Sequence, residues 1–438
     1  MGDSRGRVSS IEADEVRVDS GRSILGVAEG EGRKLKIAYI VSRFPKITET
    51  FVLYEILELK RQGVEVEIFP LLRERTRVTH PGYEQLLPNT HHRPLLAPKD
   101  LAVNLVQLFR RPGAYLGTLF LVLWRTLGSL NFFFGTLGFW LRAVQMAGEM
   151  KKLGITHVHA HFCNHPAMCA FIVHRLTGIP YSFTAHGSDL HVDQRALDLK
   201  IRFSAFSRMI SRYNVDFVVG RLGRSFGDKL RVIRCGVDPE VFTPRNGKAG
   251  PCFRILCVAS FREVKGHRHL VEACALLRDR GIEFVCHLVG EGPTRGRVER
   301  RIREAELEDR VQILGALPRQ QVIENMRAAD VVVLPSVQDS KGRREGIPVT
   351  LMEAMACAVS VVASDLSGIP ELISSGESGL LVPPGDPSVL AQALERLVRS
   401  PEERRRLGAG GRAAVLREFD LRVNSRQLVE AIRSVSQE

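Results

Sequence analysis

The sequence predicts an α/β protein built from two doubly wound parallel-sheet domains that face each other across a cleft. Three observations carry this expectation. Short apolar runs suited to buried strands alternate with segments of helical spacing along most of the chain. The alternation occurs twice, on either side of the polar, glycine-containing stretch RNGKAG (245–250). The 438 residues suffice for two or three domains of ~100–200 residues, and 44% of them are hydrophobic, enough to fill two cores.

Residues 1–34 begin MGDSRGRVSSIEADEVRVDSGRS, polar and of mixed charge. They lack the apolar core of a signal peptide, which predicts a mobile tail on a cytoplasmic protein. The first domain is expected over 35–244. KIAYIVS (36–42) suits a strand buried on both faces. ETFVLYEILELKRQG (49–63) has helical spacing and stops at Gly63, and VEVEIFPLL (64–72) is the next strand. Strand, helix and strand within ~30–40 residues make a βαβ unit and therefore a parallel sheet.

A helical insert at about 100–150 interrupts the pattern with GAYLGTLFLVLW (113–124) and TLGSLNFFFGTLGFWL (126–141). Its longest uncharged run, 126–141, holds 16 residues, fewer than the ~20 a spanning helix needs. Trp124, Trp140 and Phe132–Phe134, flanked by Arg110, Arg111, Arg125 and Arg142, suit a helix pair lying on a membrane surface. The alternative is that the pair packs on the first sheet. Alternation then resumes with GITHVHAHF (154–162) as strand, PAMCAFIVHRLTG (166–178) as helix and PYSFTAHG (180–187) as strand. LRVIRCGVD (230–238) closes the first domain.

The second domain, 245–419, contains six strand-like runs with helical segments between them. These are FRILCVAS (253–260), FVCHLVG (284–290), VQILG (311–315), DVVVLPS (330–336), SVVAS (360–364) and GLLVP (379–383). Residues 420–438 are expected to form a C-terminal helix that packs back on the first domain. Both domains are thus Rossmann-like. Ligands of such sheets bind at the carboxyl ends of the strands, so both sets of strand-end loops should face the cleft.

A formal net charge of +13 and an isoelectric point near 9.6 favour an anionic partner: nucleic acid, an acidic membrane surface or a phosphorylated substrate. No recognition-helix, zinc-finger or stacking-platform pattern occurs, which sets nucleic acid aside. Much of the excess charge is arginine on helices, such as Arg295, Arg297, Arg300, Arg301 and Arg303, as on a solvated face or a membrane-facing patch. The eight cysteines include no C-x-x-C pair. They read as small buried hydrophobes of a reducing compartment.

Four strand-end loops carry candidate chemistry. In EGIPVTLMEAMA, Pro348 suits the first turn of a helix whose N-terminus, near Ile347–Thr350, offers free amides and a partial positive charge to a phosphate. Gly346, Ile347, Pro348, Val349 and Thr350 are therefore donor-site candidates. Glu345 lies just before this turn, within reach of hydroxyls beside the phosphate. Glu353, one turn further in, can accept two hydrogen bonds from a ribose diol. In SFREVKGH (260–267), Arg262 and Lys265 follow a strand and could grip a diphosphate and stabilise its charge as it leaves, with Ser260 beside them. His186, at the end of PYSFTAHG, should look across the cleft, unless it only bonds to backbone near a helix start. Gly290 and Gly292 in VGEGP let backbone approach a nucleotide. In FPKITET (44–50), Thr48, Glu49 and Thr50 are acceptor-site candidates, although either threonine could simply cap the next helix.

His157, His159 and His161 alternate on one strand and share a face. Neighbours on that face are roughly 6.5 Å apart and the outer pair roughly 13 Å, so one ion cannot collect all three, and no metal site is expected. His161, nearest the strand end, is a further acceptor-side candidate.

Taken together, these segments resemble the family-4 retaining glycosyltransferases of the GT-B type. EGIPVTLMEAMA is similar to their E-x7-E motif, SFREVKGH to their R-x-x-x-x-K loop, and SFTAHGSDL to their A-H-G segment. RFPKITETFVLYEI, HVHAHF and GIPYSFTAHG are similar to bacterial exopolysaccharide transferases of the colanic-acid type. The resemblance spans about residues 36–420. It implies that Glu345 contacts the donor sugar, Glu353 the ribose, Lys265 the diphosphate, and that His186 contacts the sugar and helps orient attack. It departs at Ser260, where many relatives carry Arg and for which Arg262 stands as substitute, and at Pro348, where many carry Gly.

The expected reaction is transfer of a hexose from a UDP- or GDP-sugar to a glycan hydroxyl with retention. No cofactor or metal is expected, and the chain lacks an obvious D-x-D diphosphate–metal motif. The expected acceptor is a glycan, carried on a polyprenyl diphosphate at the inner face of the membrane. A nucleotide-sugar epimerase or a phosphorylase on the same fold is the alternative, and an epimerase would need no acceptor.

Overall fold

Strand-forming runs assemble into two parallel six-stranded sheets in the computed structural model, which describes residues 34–46, 49–74, 81–92, 98–245, 250 and 252–436. All of the expected tail but Lys34, together with Thr48 and most of the expected linker, lies outside the described residues.

The first sheet contains β1 (Lys36–Phe44), β2 (Glu65–Arg73), β3 (His157–His161), β4 (Tyr181–Ala185), β5 (Phe206–Met209) and β6 (Leu230–Val232), in the order β2-β1-β3-β4-β5-β6. Ile37 of β1 stands opposite Val66 of β2 and His157 of β3. Both faces of this sheet are covered, which is why Ile37–Val41 form an unbroken buried run. On one face the helix Thr50–Arg61 packs Val52, Leu53 and Ile56 into a cluster that also holds Leu428, Val429 and Ile432 of the helix Leu421–Ser436. On the other face lie the helices Leu130–Lys152 and His165–Thr177.

Two readings of this sheet need correction. β5 (FSRM) was missed because Ser207 and Arg208 break its apolar pattern; Arg208 is tolerated there because Glu55, from the helix Thr50–Arg61, neutralises it. The run 230–238 pairs only over its first three residues. Beyond them the chain crosses to the start of the last helix, where the Val237 amide donates to the Phe419 carbonyl and the Leu421 amide to the Val237 carbonyl.

The second sheet contains β7 (Phe253–Val258), β8 (Phe284–Val289), β9 (Val311–Gly315), β10 (Val331–Leu334), β11 (Ser360–Ser364) and β12 (Leu380–Val382), in the order β12-β11-β10-β7-β8-β9. Strand order reverses between β1 and β3 in the first sheet and between β7 and β10 in the second. In doubly wound sheets such switch points open the crevice in which ligands bind.

The insert forms the helices Pro98–Arg110, Pro112–Thr126 and Leu130–Lys152. Its aromatic residues divide. Phe109, Phe120, Trp124 and Phe134 are exposed, Phe109 by 80%, as is the neighbouring Leu130. Phe132 and Trp140, expected on the outer face, instead turn inward at 2% and 3% exposure, Trp140 packing edge-on to Tyr115. Two of the four flanking arginines are also engaged within the fold. Arg142 is buried and donates to Gln145 and to the His91 carbonyl, and Arg125 pairs with Asp198. Among the described residues no helix is long and apolar enough to cross a membrane. All eight cysteines are free thiols and seven are buried.

Candidate active site

The carboxyl ends of the two sheets open onto one cavity of about 450 Å³. The two loops leaving the switch point of the second sheet supply its charges. After β7 the turn Glu263–Lys265 ends at Gly266, whose φ of 68° favours glycine. A Cβ at Gly266 would lie 1.8 Å from the Pro335 carbonyl oxygen, so only glycine lets this loop press against the loop after β10. The contact brings Lys265 Nζ within 2.6 Å of Glu345 Oε2.

The helix Val349–Ala356 begins one residue later than expected, with Pro348 as its N-cap. There the missing N–H of proline costs nothing. The Pro348 carbonyl accepts from Leu351 and Met352. The amides of Val349 and Thr350 precede the first intrahelical bond and stand at the positive end of the helix. Gly346, Ile347, Pro348, Val349 and Thr350 line the cavity, as do Ser260 and Gly290. Glu353 lies one turn further along the same wall. Burial raises its carboxyl to about 7, although Arg319 pulls the other way.

The first sheet contributes Glu49, Thr50, Phe51, Phe162 and His186. Phe51 and Phe162 crowd the His186 ring at centroid distances of 4.7 and 4.8 Å. Phe162 reaches it from a left-handed backbone (φ 76°), strained for a bulky residue by roughly 1–3 kcal/mol. The Asp189 carboxylate holds the loop, accepting from the amides of His186 at 3.1 Å and Gly187 at 2.7 Å. Burial drives the His186 imidazole well below its usual range, so the ring is neutral. Burial also raises the Glu49 carboxyl, against the pull of Lys46, with which it pairs.

The two lobes touch beside this site. A Cβ on Gly346 would sit 2.1 Å from the His186 carbonyl oxygen, so backbone meets backbone there. Arg344 of the second lobe donates to the Tyr213 hydroxyl of the first at 2.7 Å. The Arg319 guanidinium lies 3.8 Å from the centre of the Tyr54 ring. Glu371 accepts from the amides of Arg212 and Tyr213 at 2.9 and 2.8 Å, capping a first-lobe helix, Arg212–Leu222, from the second lobe.

Three candidates do not line the cavity. Arg262 sits on extended backbone one residue beyond the buried Phe261. Its side chain borders a separate cavity with His267, Thr294 and Arg297, so it does not replace the charge missing at Ser260. Gly292 packs against Phe261, whose carbonyl oxygen would lie 2.4 Å from a Cβ there. His161 is fully buried behind His186, with Nδ1 3.0 Å from His186 Nε2. Thr48 lies outside the described residues. Sequence reasoning missed Arg319 and Arg344, cations that do line the cavity. Arg344 directly precedes Glu345 and was available to inspection. Arg319 opens the helix after β9, and only the fold brings it near Glu353.

Glu55, His159 and His161 place one ligand atom each within 4.8 Å of one another, the spacing of a metal site. Their polar atoms are engaged, however. His159 bonds to Ser182 and Thr184, His161 to Glu55 and His186, and the Arg208 guanidinium already sits on the Glu55 carboxylate. The chemistry is that of a hydrogen-bonded network with its own cation.

Residues 240–414 match the family described as "Glycosyl transferases group 1". Over 92% of its length the chain is 30% identical to the whole of the putative colanic acid biosynthesis glycosyltransferase WcaL of Salmonella typhimurium, the match covering 100% of that relative. The amylovoran biosynthesis glycosyltransferase AmsK of Erwinia amylovora is also 30% identical, with 92% of this chain and 100% of the relative covered. In three dimensions the chain is similar to HepE of Anabaena, solved in complex with UDP-glucose, with a TM-score of 0.69 and 16% identity over 91% of this chain and 99% of that one. At that identity the likeness concerns the fold.

Proposed function

The chain belongs to the group 1 glycosyltransferases, and on that premise we propose that it transfers a hexose from a UDP- or GDP-sugar to a glycan acceptor, with retention at the anomeric carbon and without a metal. The observation that carries this reading is the convergence of Lys265, the helix-start amides of Val349 and Thr350, Glu353 and His186 on one cavity between the lobes.

In this reading the amides and Lys265 hold the diphosphate, and Glu353 accepts hydrogen bonds from the ribose diol. Glu345 and His186 meet the sugar. The acceptor hydroxyl attacks the anomeric carbon on the face from which the diphosphate departs. As the bond from that carbon to the phosphate oxygen breaks, the leaving oxygen takes the acceptor proton. Lys265, with Arg319 and Arg344 on the same wall, offsets the charge that develops, the task a divalent cation performs in other transferases. The complex of HepE with UDP-glucose supports a nucleotide-sugar donor.

The acceptor is proposed to be a lipid-linked oligosaccharide at the inner membrane face, in exopolysaccharide synthesis. The names of WcaL and AmsK support the pathway class. The exposed apolar side chains of the insert, beside the exposed Arg110 and Arg111, support docking on an anionic bilayer. Screening UDP- and GDP-sugars for protection against thermal unfolding identifies the donor. Proton NMR of the product then reads the anomeric configuration. Retention is the expected outcome, and an inverted product, or protection by no nucleotide-sugar, rejects the proposal.

A further inference from the structure

Behind His186 a line of buried groups runs into the first lobe. At its far end Arg208 donates to the carbonyls of Ile233 and Arg234, each at 2.8 Å, and to Glu55 Oε2. Burial opposes ionisation of Glu55, yet Arg208 and then His161 hold its carboxyl well below the usual range. Glu55 is therefore an anion and can only accept hydrogen bonds. It accepts from the Tyr39 hydroxyl at 2.9 Å, and its Oε1 lies 3.1 Å from His161 Nε2.

These contacts determine where the ring protons sit. With His161 as a neutral imidazole, its Nε2 must carry the hydrogen to meet the carboxylate, which leaves Nδ1 as a lone pair. That lone pair faces His186 Nε2 at 3.0 Å, so His186 Nε2 carries a hydrogen too. His186 is neutral, and its remaining nitrogen, Nδ1, is therefore an acceptor. The neighbour of Nδ1 is Cys235 Sγ at 3.9 Å, a weak partner that itself lines the cavity.

We propose that Glu55 and His161 are positioning residues for glycosyl transfer, locking His186 in the one tautomer that offers Nδ1 as a hydrogen-bond acceptor to a hydroxyl of the transferred sugar. This rests on the reading of His186 as a sugar-facing group. His161 touches no substrate and acts only through His186. Its alternation with His157 and His159 on β3 marks the buried face from which it reaches both Glu55 and His186.

The test compares His161→Phe, His161→Gln and His186→Ala in steady-state turnover, with nitrogen-15 NMR of the histidine rings. Phe fills the space but breaks the relay, whereas Gln can still donate to Glu55 and accept from His186. His161→Phe should lower kcat about tenfold or more, the worth of one hydrogen bond, with little change in donor KM. His161→Gln should recover most of that loss. The wild-type His186 ring should show its hydrogen on Nε2, and His161→Phe should lose that preference. Wild-type kcat in His161→Phe alongside an impaired His186→Ala overturns the relay. Wild-type kcat in both variants overturns the assignment of His186 itself. If His161→Phe fails to fold, a hydrogen on Nδ1 of His186 in the wild-type spectrum is sufficient to reject the proposal.

Discussion

Replacing Glu353 by Gln should remove most of the pH dependence of nucleoside diphosphate binding between about pH 6 and pH 8. Burial lifts this carboxyl from 4.5 to about 7. If the ribose diol donates to a carboxylate, the apparent Kd of the wild type scales as one plus the ratio of protonated to ionised Glu353. That factor is about eleven at pH 6 and about 1.1 at pH 8, a tenfold change. The ligand's own terminal phosphate also titrates near pH 6. Its contribution is common to both proteins, so the difference between wild type and Glu353→Gln isolates the carboxyl. The same group makes a stability prediction. A raised carboxyl contributes stability that is fully present below 4.5 and is lost as pH rises through about 7. The loss is at most about 3.5 kcal/mol at ~1.4 kcal/mol per unit, so Glu353→Gln should gain on the wild type over that window. Calorimetric titration with UDP and GDP, and thermal unfolding across the same range, provide the measurements. Parallel pH curves for the two proteins would refute the reasoning.

Three other outcomes are expected. Lys265→Ala and Glu345→Ala should each lower turnover on the order of a hundredfold or more without unfolding the chain, as steady-state rates and melting curves will show; wild-type turnover in either folded variant counts against the site. Changing the exposed Phe109, Phe120, Trp124 and Leu130 to Ser should weaken flotation with anionic liposomes while leaving the core intact, because these side chains point outward; unchanged flotation removes the membrane proposal. Glu371→Ala strips a carboxylate from the start of the helix Arg212–Leu222 and should cost about 1 kcal/mol of stability, read as a lowered melting temperature.

The GT-B arrangement was legible because most parallel strands covered on both faces announce themselves as short apolar runs, and eleven of the twelve strands among the described residues fall within segments that the sequence marks as strands. The exception, β5, carries Arg208 at its centre, and nothing local signals that Glu55, 153 residues earlier, neutralises it. The wall formed by Glu345 to Glu353 could be read from sequence because one loop and one helix start build it. Arg262 misled because proximity to Lys265 in sequence says nothing about which side of the buried Phe261 a side chain leaves from. Arg319 was invisible for the converse reason, since it opens a helix whose starting sequence, LPRQ, has no motif character. The insert was readable as amphipathic, but not the rotation of its helices, which turned Trp140 and Phe132 toward the core and left Trp124 and Phe134 outside.

A crystal structure of the protein with the UDP- or GDP-sugar that best protects it from unfolding is the most direct check on whether both lobes serve one donor. The diphosphate should lie within hydrogen-bonding distance of Lys265 Nζ and of the Val349 and Thr350 amides, with the ribose on Glu353 and the sugar between Glu345 and His186. A nucleotide bound in any other cavity, or with its diphosphate out of reach of Lys265, would contradict the assignment.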